Sequence, residues 1–444
     1  MLKTCAQISH RRGFMKDYSS FLKDLTDLIA CESVKGEPLP AMPFGKGVHD
    51  ALECFLSVAR RMGFKTVNYD GYMGEVVFGN TETADPIKDS YGIIGHLDVV
   101  PTGGGWATNP FVLTKKGGYY YARGIADDKA PLLLCLYALK ELKDRGISPK
   151  KAIRLFCGCD EESGWRDAAY FTQKNAFPEY GFSPDGNFPV IYSEKAMSII
   201  KFYLPPLKRF RNLKGGTVVN AVCGYATAVA DDDAIDKNLL TKYGLTLKDG
   251  NVIESIGVSC HGSQPEKGKN ALDPLFKYFY DMGEDVGAVV GNVFGDGKCL
   301  RKITNEQGSV TLSADIAEET PDGIVLTCDC RTPSPVGLKD ITPVLDAFGL
   351  KYTATEKHPP FIVEKDDPFV QKLLSAYNTV TGENAVAAVE SGCTFARVFK
   401  KGCAFGAAFP NENSSIHEAN EHLSENSLLK TYEIYLTAIY DLIK

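Results

Sequence analysis

The sequence predicts a two-domain α/β fold, in which a domain with a mixed β-sheet is interrupted by an inserted α+β domain. The chain has 444 residues, which is too long for one hydrophobic core of ordinary size. Strand and helix patterns alternate as far as residue 193, which is typical of an α/β layer. Beyond residue 194 alternating strand patterns dominate, and a long helical segment resumes only at Pro368.

The elements of the first half follow from the spacing of apolar residues. Helical spacing predicts helices over residues 17–31, 47–62, 131–145 and 165–174. Short apolar runs predict strands over residues 64–68, 74–78, 91–97 and 152–157. In such an α/β layer we expect the loops at the strand ends to carry the functional residues.

The second half begins with alternating patterns. These predict strands over 198–203, 218–222, 252–259 and 324–330, interleaved with helices over 233–243 and 271–282. A helix from residue 368, a strand near 403–408 and a helix over 427–442 complete the chain. If His96 and His417 share one site, the middle of the chain must be an insertion. The predicted domains are therefore residues 1–193 with 363–444, and residues 194–362.

Charge and hydropathy exclude several classes of partner. The formal net charge is −7 and no run of five or more lysines and arginines occurs, so nucleic acid is not expected as a partner. No stretch approaches the roughly 18 consecutive apolar residues of a membrane helix. Residues 1–16 lack the apolar core of a secretory signal. We expect a cytoplasmic protein that does not bind membranes.

The 13 cysteines include two C-x-C pairs, Cys157 with Cys159 and Cys328 with Cys330. The two residues of each pair would share one face of a strand, so a four-thiolate zinc site is one interpretation. Both pairs lie in or beside apolar runs, where a free cysteine packs as a small hydrophobic residue, and this favours buried thiols. The odd total and the missing secretory signal favour reduced cysteines.

The first candidate ligand is His96, which follows the apolar run 91–94 in the sequence GHLDVVP. Alternate residues of a strand face the same way, so Asp98 can accept a hydrogen bond from the second ring nitrogen of His96. Such a bond is typical of metal-bound histidine. A lone histidine at a strand end is more often structural, but the acidic groups further along the chain favour a metal ligand.

Carboxylates follow at three later turns. Asp127 precedes a predicted helix, Glu161 and Glu162 follow a predicted strand, and Asp185 lies at a further turn. Asp127 and Asp128 could instead cap the helix, and the two glutamates could belong to a solvated acidic turn. Adjacent carboxylates repel one another unless cations lie among them. We therefore interpret the set as metal ligands beside a catalytic base.

Six motifs carry a resemblance to a known family. They are GHLDVVP, GIADDKAP, CDEESGW, FSPDGNFP, VSCHGSQPEKGKNAL and SSIHEANEHL. In this order they resemble the M20 metallopeptidases, and among them the PepV-type dipeptidases. The resemblance extends from about residue 16 to the carboxyl terminus. It implies a mixed-sheet α/β catalytic domain with two zinc ions and an inserted α+β lid domain.

The resemblance also implies which residues bind the metals. Two Zn²⁺ ions per chain are expected, with Mn²⁺ or Co²⁺ as substitutes. Asp127 would bridge the ions, with His96 and Asp185 on one of them and Glu162 and His417 on the other.

Roles for further residues come from the same resemblance. Glu161 would be the general base for a metal-activated water, and Asp98 would orient His96. In the inserted domain, His261 and Asn220 would approach the scissile carbonyl group.

The reaction implied is the hydrolysis of unblocked dipeptides, with Arg331, Thr394 and Arg397 holding the substrate carboxylate. An N-acyl amino-acid amidohydrolase of the desuccinylase or deacetylase type is the enzymatic alternative. A non-catalytic peptide-binding protein is the alternative from another class, and the presence of Glu161 with all five ligands disfavours it. We expect a small peptide as partner and a monomer, although the sequence leaves a dimer open.

Overall fold

The structure of the chain, a computed structural model, describes residues 15–295 and 300–444. Residues 1–14, on which the expectation about a secretory signal depends, lie outside the described residues. The chain divides into two compact units. Unit 1 runs to Tyr192 and continues over Val363–Ala388 and Thr394–Lys444, and unit 2 comprises Ser193–Ile362 with Val389–Cys393. Within the described ranges, no helix combines the length and the apolar character needed to cross a membrane.

Up to Glu194 the chain alternates helices and strands, as predicted. The helices are α1 (Tyr18–Ile29), α2 (Lys46–Arg61), α3 (Lys129–Asp144) and α4 (Arg166–Phe171). The strands are β1 (Lys65–Tyr69), β2 (Met73–Phe78), β3 (Ser90–His96), β4 (Thr114–Lys116), β5 (Tyr119–Tyr121), β6 (Ala152–Gly158), β7 (Tyr180–Ser183) and β8 (Ile191–Glu194).

Strands predominate in the middle of the chain. They are β9 (Ala196–Leu204), β10 (Phe210–Gly215), β11 (Tyr225–Ala230), β12 (Thr246–Lys248), β13 (Val252–Ile256), β14 (Thr304–Asn305), β15 (Gly308–Ser309), β16 (Thr311–Thr320), β17 (Gly323–Thr332), β18 (Lys351–His358) and β19 (Phe361–Ile362). The helices are α5 (Lys237–Tyr243), α6 (Leu272–Asp281), α7 (Gly287–Val289), which continues as a π-helical turn over Val290–Phe294, and α8 (Leu338–Asp346). The chain ends with α9 (Pro368–Thr381), β20 (Ala388–Glu390), β21 (Lys401–Ala404), β22 (His422–Ser424) and α10 (Glu425–Ile443).

The main sheet of unit 1 is mixed, which confirms the predicted α/β class. Strands β6, β3, β7 and β21 lie side by side and run parallel. Beyond β6, strand β2 pairs antiparallel with β6, and β1 pairs antiparallel with β2. His96 at the end of β3 pairs with Gly158 at the end of β6. Because the carboxyl ends of parallel strands share one edge of a sheet, the loops after β3 and β6 begin side by side.

Helix α3 lies in the interior of unit 1 and carries Asp127 just before its amino end. It is apolar on nearly all sides, as expected for a helix packed between other elements, and it contacts α1, α10 and β3. Its first residue, Lys129, is fully buried, and Nζ donates to the main-chain oxygens of Leu28 (3.1 Å) and Cys31 (2.8 Å). Burial lowers the pKa of this ammonium group to about 8.

Unit 2 contains an antiparallel sheet of eight strands in the order β12-β13-β11-β10-β16-β17-β9-β18. Its core joins sheet residues such as Phe202 and Phe210 to Phe276 of α6 and Leu345 of α8. Helices therefore pack on an antiparallel sheet, which is the α+β organisation predicted for the middle of the chain.

The strand predicted over residues 218–222 is wrong, because this segment forms a loop. Gly216 turns the chain with φ of +66°, where a Cβ atom would lie 1.8 Å from the main-chain oxygen of Asp315. Asn220 has φ of +75°, and its N–H donates to the Asp315 carboxylate at 2.9 Å. The apolar alternation that suggested a strand has no sheet to pack on, since Val218 is 57% exposed.

Two predicted helices are shorter than expected. The helix predicted over 233–243 is divided into a 3₁₀ turn, Asp232–Ala234, and α5. The Asp236 carboxylate accepts hydrogen bonds from the N–H groups of Asn238 and Leu239, so it caps α5 and sets its start. The helix predicted over 165–174 ends as α4 at Phe171.

Candidate metal centre

His96 lies fully buried at the carboxyl end of β3. Its Nε2 atom is 2.8 Å from Asp127 Oδ1 and 3.7 Å from Asp185 Oδ2. The preceding residue must be glycine, because a Cβ atom on Gly95 would lie 2.0 Å from Asp128 Oδ2. The end of the strand therefore delivers one imidazole nitrogen to two carboxylates.

Asp98 acts on this site differently from the expectation. The Nδ1 atom of His96 donates to the main-chain oxygen of Asp98 at 2.9 Å, whereas the carboxylate Oδ1 is 3.6 Å away. A carbonyl oxygen can only accept, so a ring proton lies on Nδ1, and Nε2 is the nitrogen that would bind a metal when the ring is neutral. The Asp98 carboxylate instead accepts from the N–H groups of Glu161 and Glu162, each at 3.1 Å.

Asp127 and Asp128 point in different directions. The Asp127 carboxylate lies between two histidines, with Oδ1 near His96 and Oδ2 2.9 Å from His417 Nε2. Asp128 is buried, and its Oδ2 accepts a hydrogen bond from the main-chain N–H of His96 at 3.2 Å. Asp128 is the residue before α3, but its side chain makes no capping hydrogen bond. The helix-cap interpretation of these aspartates is therefore wrong.

The acidic turn after β6 divides its three carboxylates between two environments. Asp160 is buried and pairs with Lys35 and with Arg166, so these cations neutralise it. Glu162 faces the other way, and its Oε1 lies 3.1 Å from His417 Nε2. Glu161 also lies on the side of the histidines, with a carboxylate oxygen within 4.8 Å of a ring nitrogen of His96.

Two groups of side chains are arranged to hold a metal ion. The ligand atoms of His96, Glu161 and Asp185 lie within 4.8 Å of one another, and those of His96, Asp127 and Glu162 do the same. Histidine nitrogen with carboxylate oxygen is a donor set that suits Zn²⁺ and related divalent ions. His417 adds a second imidazole through its contacts with Asp127 and Glu162. The residues present therefore fit a metal centre.

The electrostatics of these carboxylates favour a cation among them. Burial raises the pKa values of Glu161, Glu162 and Asp185 above their ordinary range, and the neighbouring carboxylates add to the rise. Burial also opposes ionisation of Asp127, but hydrogen bonds from His417 and His96 outweigh it and lower the pKa of Asp127. The buried negative charge is thus only partly compensated by protein groups.

The two imidazoles are strongly basic in this environment. Burial alone would lower the pKa of His417, but hydrogen bonds to Asp127 and Glu162 outweigh it and raise the value to about 11. For His96, hydrogen bonds to Asp127 and Asp98 likewise outweigh burial and raise the pKa well above its ordinary value. A metal ion at this site would have to displace protons from both rings.

Sequence reasoning missed two residues that support this site. The Glu421 carboxylate is buried and accepts hydrogen bonds from Arg123 Nη1 (2.7 Å) and from the N–H groups of Gly124, Ala126 and Asp127. Burial raises the pKa of Glu421 to about 7. The four-residue spacing of His417 and Glu421 in SSIHEANEHL was the available signal. The pairing with Arg123 spans 298 positions and left no local signal.

Unit 2 contains His261 and Asn220, which lie next to each other. Residues Ala221 and His261 form an isolated β-bridge, and the N–H of Gly262 donates to the main-chain oxygen of Asn220 at 2.6 Å. The Nδ1 atom of His261 accepts from the N–H of Ser263 at 3.1 Å. The proton of the neutral ring is therefore on Nε2, which makes that nitrogen a donor.

The predicted carboxylate-binding residues occupy defined positions in each unit. In unit 2, Arg331 Nε and Nη2 contact the buried Asp329 carboxylate, and Nη1 donates to the Ser391 main-chain oxygen at 3.3 Å. In unit 1, Thr394 accepts from the N–H of Ala396 and so caps the short 3₁₀ helix Phe395–Val398, which includes Arg397. Much of the Arg331 fork is thus engaged by an internal partner.

The two C-x-C pairs are buried strand residues. Cys157 lies in β6 and Cys159 follows it, while Cys328 and Cys330 lie in β17, and all four are free thiols. Among the described residues, no group able to hold a metal ion includes any of them. The structure thus agrees with the interpretation of these thiols as small packing residues.

The chain is similar over most of its length to known peptidases. Residues 92–441 match peptidase family M20/M25/M40. The chain is 30% identical over 455 aligned positions to a Bacillus subtilis (strain 168) protein named "Putative dipeptidase YtjP", covering 95% of this chain and 97% of that protein.

Two solved structures share the fold. Human carnosine dipeptidase 1 has a TM-score of 0.57 at 15% identity, covering 96% of this chain and 97% of its own. The YXEP protein of Bacillus subtilis, described as a dinuclear metal-binding peptidase from the M20 family, has a TM-score of 0.52 at 11% identity, covering 95% and 98%.

Proposed function

Since the chain belongs to peptidase family M20/M25/M40, we propose that this peptidase is a metal-dependent dipeptidase that hydrolyses unblocked dipeptides. The name of the 30% identical relative supports dipeptides as the substrate class. The single observation that carries a metal-dependent mechanism is the Asp127 carboxylate, whose two oxygens contact His96 and His417 at 2.8 and 2.9 Å.

The proposed centre would hold two Zn²⁺ ions, with Mn²⁺ or Co²⁺ as substitutes. Asp127 would be shared by both ions, with His96 and Asp185 holding one and Glu162 and His417 the other. The two-sided contacts of Asp127 support this assignment, as does the contact of His417 with Glu162. When bound, such a pair of ions polarises the peptide carbonyl and lowers the pKa of a water molecule.

Glu161 is proposed as the general base. Its partly buried position and raised pKa suit a carboxylate that must take a proton from the attacking water and then return it to the leaving amine nitrogen. The Asp98 carboxylate accepts a hydrogen bond from the Glu161 main chain, so it fixes the turn from which the base projects. Asp98 also orients His96 through its main-chain oxygen.

Groups from unit 2 are proposed to act on the scissile carbonyl. His261 Nε2, as a donor, would stabilise the negative charge that develops on the carbonyl oxygen, with Asn220 beside it. Arg331, Thr394 and Arg397 are proposed to bind the substrate carboxylate. Because Asp329 engages Nε and Nη2 of Arg331, that residue would contribute Nη1 or would have to leave Asp329.

The domain roles belong to the same proposal. Residues 1–193 and 363–444 would form the catalytic domain and residues 194–362 the lid, in the arrangement of PepV-type members. We propose a monomer, as the resemblance to PepV-type members implies, with a dimer as the alternative. We also propose a cytoplasmic location, because charge and composition indicate neither a membrane nor a nucleic acid partner.

The test compares unblocked dipeptides with their N-acetylated counterparts, using metal-free protein reloaded with Zn²⁺, Mn²⁺ or Co²⁺. We expect hydrolysis of the unblocked dipeptides only, and only after metal is added. The Glu161→Gln protein prepared in parallel controls for a contaminating peptidase. Cleavage of the N-acetylated compounds alone would instead establish an N-acyl amino-acid amidohydrolase, and metal-independent cleavage would contradict the mechanism.

A further inference from the structure

Glu421 makes an unusual set of contacts for a residue outside the proposed ligand set. Its side chain is completely buried. Oε2 accepts from Arg123 Nη1 at 2.7 Å, and Oε1 accepts from the N–H groups of Ala126 at 2.8 Å, Gly124 at 3.1 Å and Asp127 at 3.2 Å. One carboxylate thus holds the main chain of the turn that ends in Asp127.

The same residue lies four positions after His417, in a segment with unfavourable backbone conformations. His417 and Asn420 both have φ of +64°, which is the left-handed region. Non-glycine residues keep such conformations only where their surroundings impose them. The Asn420 side chain accepts from Ala107 N–H and donates to the Gly105 main-chain oxygen, and Glu421 anchors the end of the segment.

We propose that Glu421 is a positioning residue that fixes the Asp127 turn against the His417 segment and thereby sets the metal affinity of the site these two residues share. This inference rests on the metal centre proposed above. Asp127 and His417 come from distant parts of the chain, and their side chains approach to 2.9 Å. Glu421 accepts a hydrogen bond from the main-chain N–H of Asp127 and lies four residues after His417. It therefore connects the Asp127 turn directly to the His417 segment.

Both oxygens of Glu421 are needed for this role, because each accepts hydrogen bonds that come from different groups. Several N–H groups that converge on one point form an anion-binding concavity. Bonds from such groups to a carboxylate are stronger than bonds to a neutral oxygen. Glutamine has nearly the same shape, but it offers one acceptor oxygen and turns an NH₂ donor toward Arg123 or toward the N–H groups. Glu421→Gln should therefore loosen the turn without opening a cavity.

The experiment compares Glu421→Gln with a matched control, Glu284→Gln. Glu284 is also a buried glutamate that accepts main-chain hydrogen bonds, from Lys208 and Arg209 at 2.9 Å, but it belongs to unit 2 and contacts none of the proposed ligands. Zn²⁺ binding is titrated against a competing chelator, and the visible absorption spectrum of the Co²⁺-loaded protein reports ligand geometry. Circular dichroism of the metal-free proteins controls for folding.

We expect Glu421→Gln to weaken at least one Zn²⁺ site by about 10- to 100-fold, as measured for other residues that orient metal ligands. Its Co²⁺ spectrum should change, whereas Glu284→Gln should keep both the affinity and the spectrum of the unaltered chain. Unchanged Zn²⁺ affinity and an unchanged Co²⁺ spectrum in Glu421→Gln would overturn the inference. If the unaltered chain itself binds no metal, the proposed metal centre fails instead.

If Glu421→Gln does not fold, a measurement on the unaltered chain tests whether Glu421 holds the Asp127 turn before metal binds. Residue-resolved hydrogen exchange is recorded for the Gly124, Ala126 and Asp127 amides in the metal-free protein. Because Glu421 accepts these N–H groups without help from a metal, we expect slow exchange before metal is added. Exchange as fast as that of the open glycine loop at Gly103 and Gly104 would contradict a preformed support.

Discussion

The carboxylate of Asp98 accepts a hydrogen bond from the main-chain N–H of Glu161, with 3.1 Å between Oδ1 and the nitrogen. Asp98 also accepts the Nδ1 proton of His96 through its main-chain oxygen. A single residue therefore relates the position of an imidazole at the end of β3 to the turn that follows β6. The proposed ligand and the proposed base thus share one support, so small displacements should affect both together.

Glu161→Gln should keep the fold and the metals while lowering kcat by about 10²- to 10⁴-fold. The amide preserves the shape of the side chain but cannot accept a proton from the attacking water. Single-turnover rates and metal analysis of the same preparation would test this. Near-normal turnover with full metal content would remove Glu161 from the mechanism.

Asp127→Ala should lose more metal than Asp185→Ala. Asp127 contacts His96 at 2.8 Å and His417 at 2.9 Å, whereas the nearest approach of Asp185 to His96 is 3.7 Å. Two divalent cations at about 3.5 to 4 Å repel each other strongly unless a shared carboxylate lies between them. Equilibrium dialysis followed by metal analysis measures both variants. Two tight sites in Asp127→Ala would show that this residue does not bridge.

Zn²⁺ binding should release protons at neutral pH, and the affinity should rise as pH rises. The pKa of His417, raised to about 11, keeps the ring protonated in the metal-free protein, and the metal binds only the neutral ring. Asp127, with its lowered pKa, is already ionised and contributes no proton. Each released proton steepens the dependence by about tenfold per pH unit.

Calorimetric titration in buffers of different ionisation enthalpy counts the released protons. The raised pKa of His417 also affects stability, because the fold favours the charged ring. This stabilisation of the metal-free protein is fully present below the ordinary histidine pKa of about 6.5. That contribution is lost as pH rises through the folded value of about 11. Metal binding without proton release at pH 7 would contradict the assignment of His417 as a ligand.

His261→Ala should lower kcat by about 10²- to 10³-fold with little change in KM. Its Nε2 donor would act on charge that develops only in the transition state, while substrate binding depends on other groups. The Zn²⁺ content should stay intact, because His261 belongs to unit 2 and the proposed ligands to unit 1. Loss of zinc would make His261 a ligand, and unchanged kcat would exclude it from the reaction.

Much of unit 1 could be predicted because its signals are local. Apolar runs located β3 and β6, and the alternation of helices and strands implied a mixed sheet with candidate residues in the loops at the strand ends, where His96 and the turn with Glu162 lie. Partners distant in sequence could not be predicted. Asp160 is set apart from Glu161 by its ion pairs with Arg166 and with Lys35, which lies 125 positions earlier in the chain. Nothing in the sequence indicates which carboxylate of that turn meets a lysine.

Prediction from the sequence also fails for segments that have a regular pattern but no neighbouring strand to pair with. Residues 218–222 alternate like a strand, yet Gly216 and Asn220 adopt left-handed conformations and the segment pairs with no strand of the sheet. For Asp98, strand periodicity correctly places the side chain on the face of His96, with Oδ1 at 3.6 Å from Nδ1. It could not indicate that the main-chain oxygen is the nearer acceptor, at 2.9 Å.

The buried Lys129 gives the first helix an importance that its sequence does not suggest. Its ammonium group donates to the main-chain oxygens of Leu28, in the last turn of α1, and of Cys31, just beyond the end of that helix. A chain beginning after residue 31 would retain every proposed ligand but would leave this cation without those acceptors in the interior, two positions from Asp127. The proposed metal centre thus depends on helix α1 for its structure, although no residue of α1 is one of its proposed ligands.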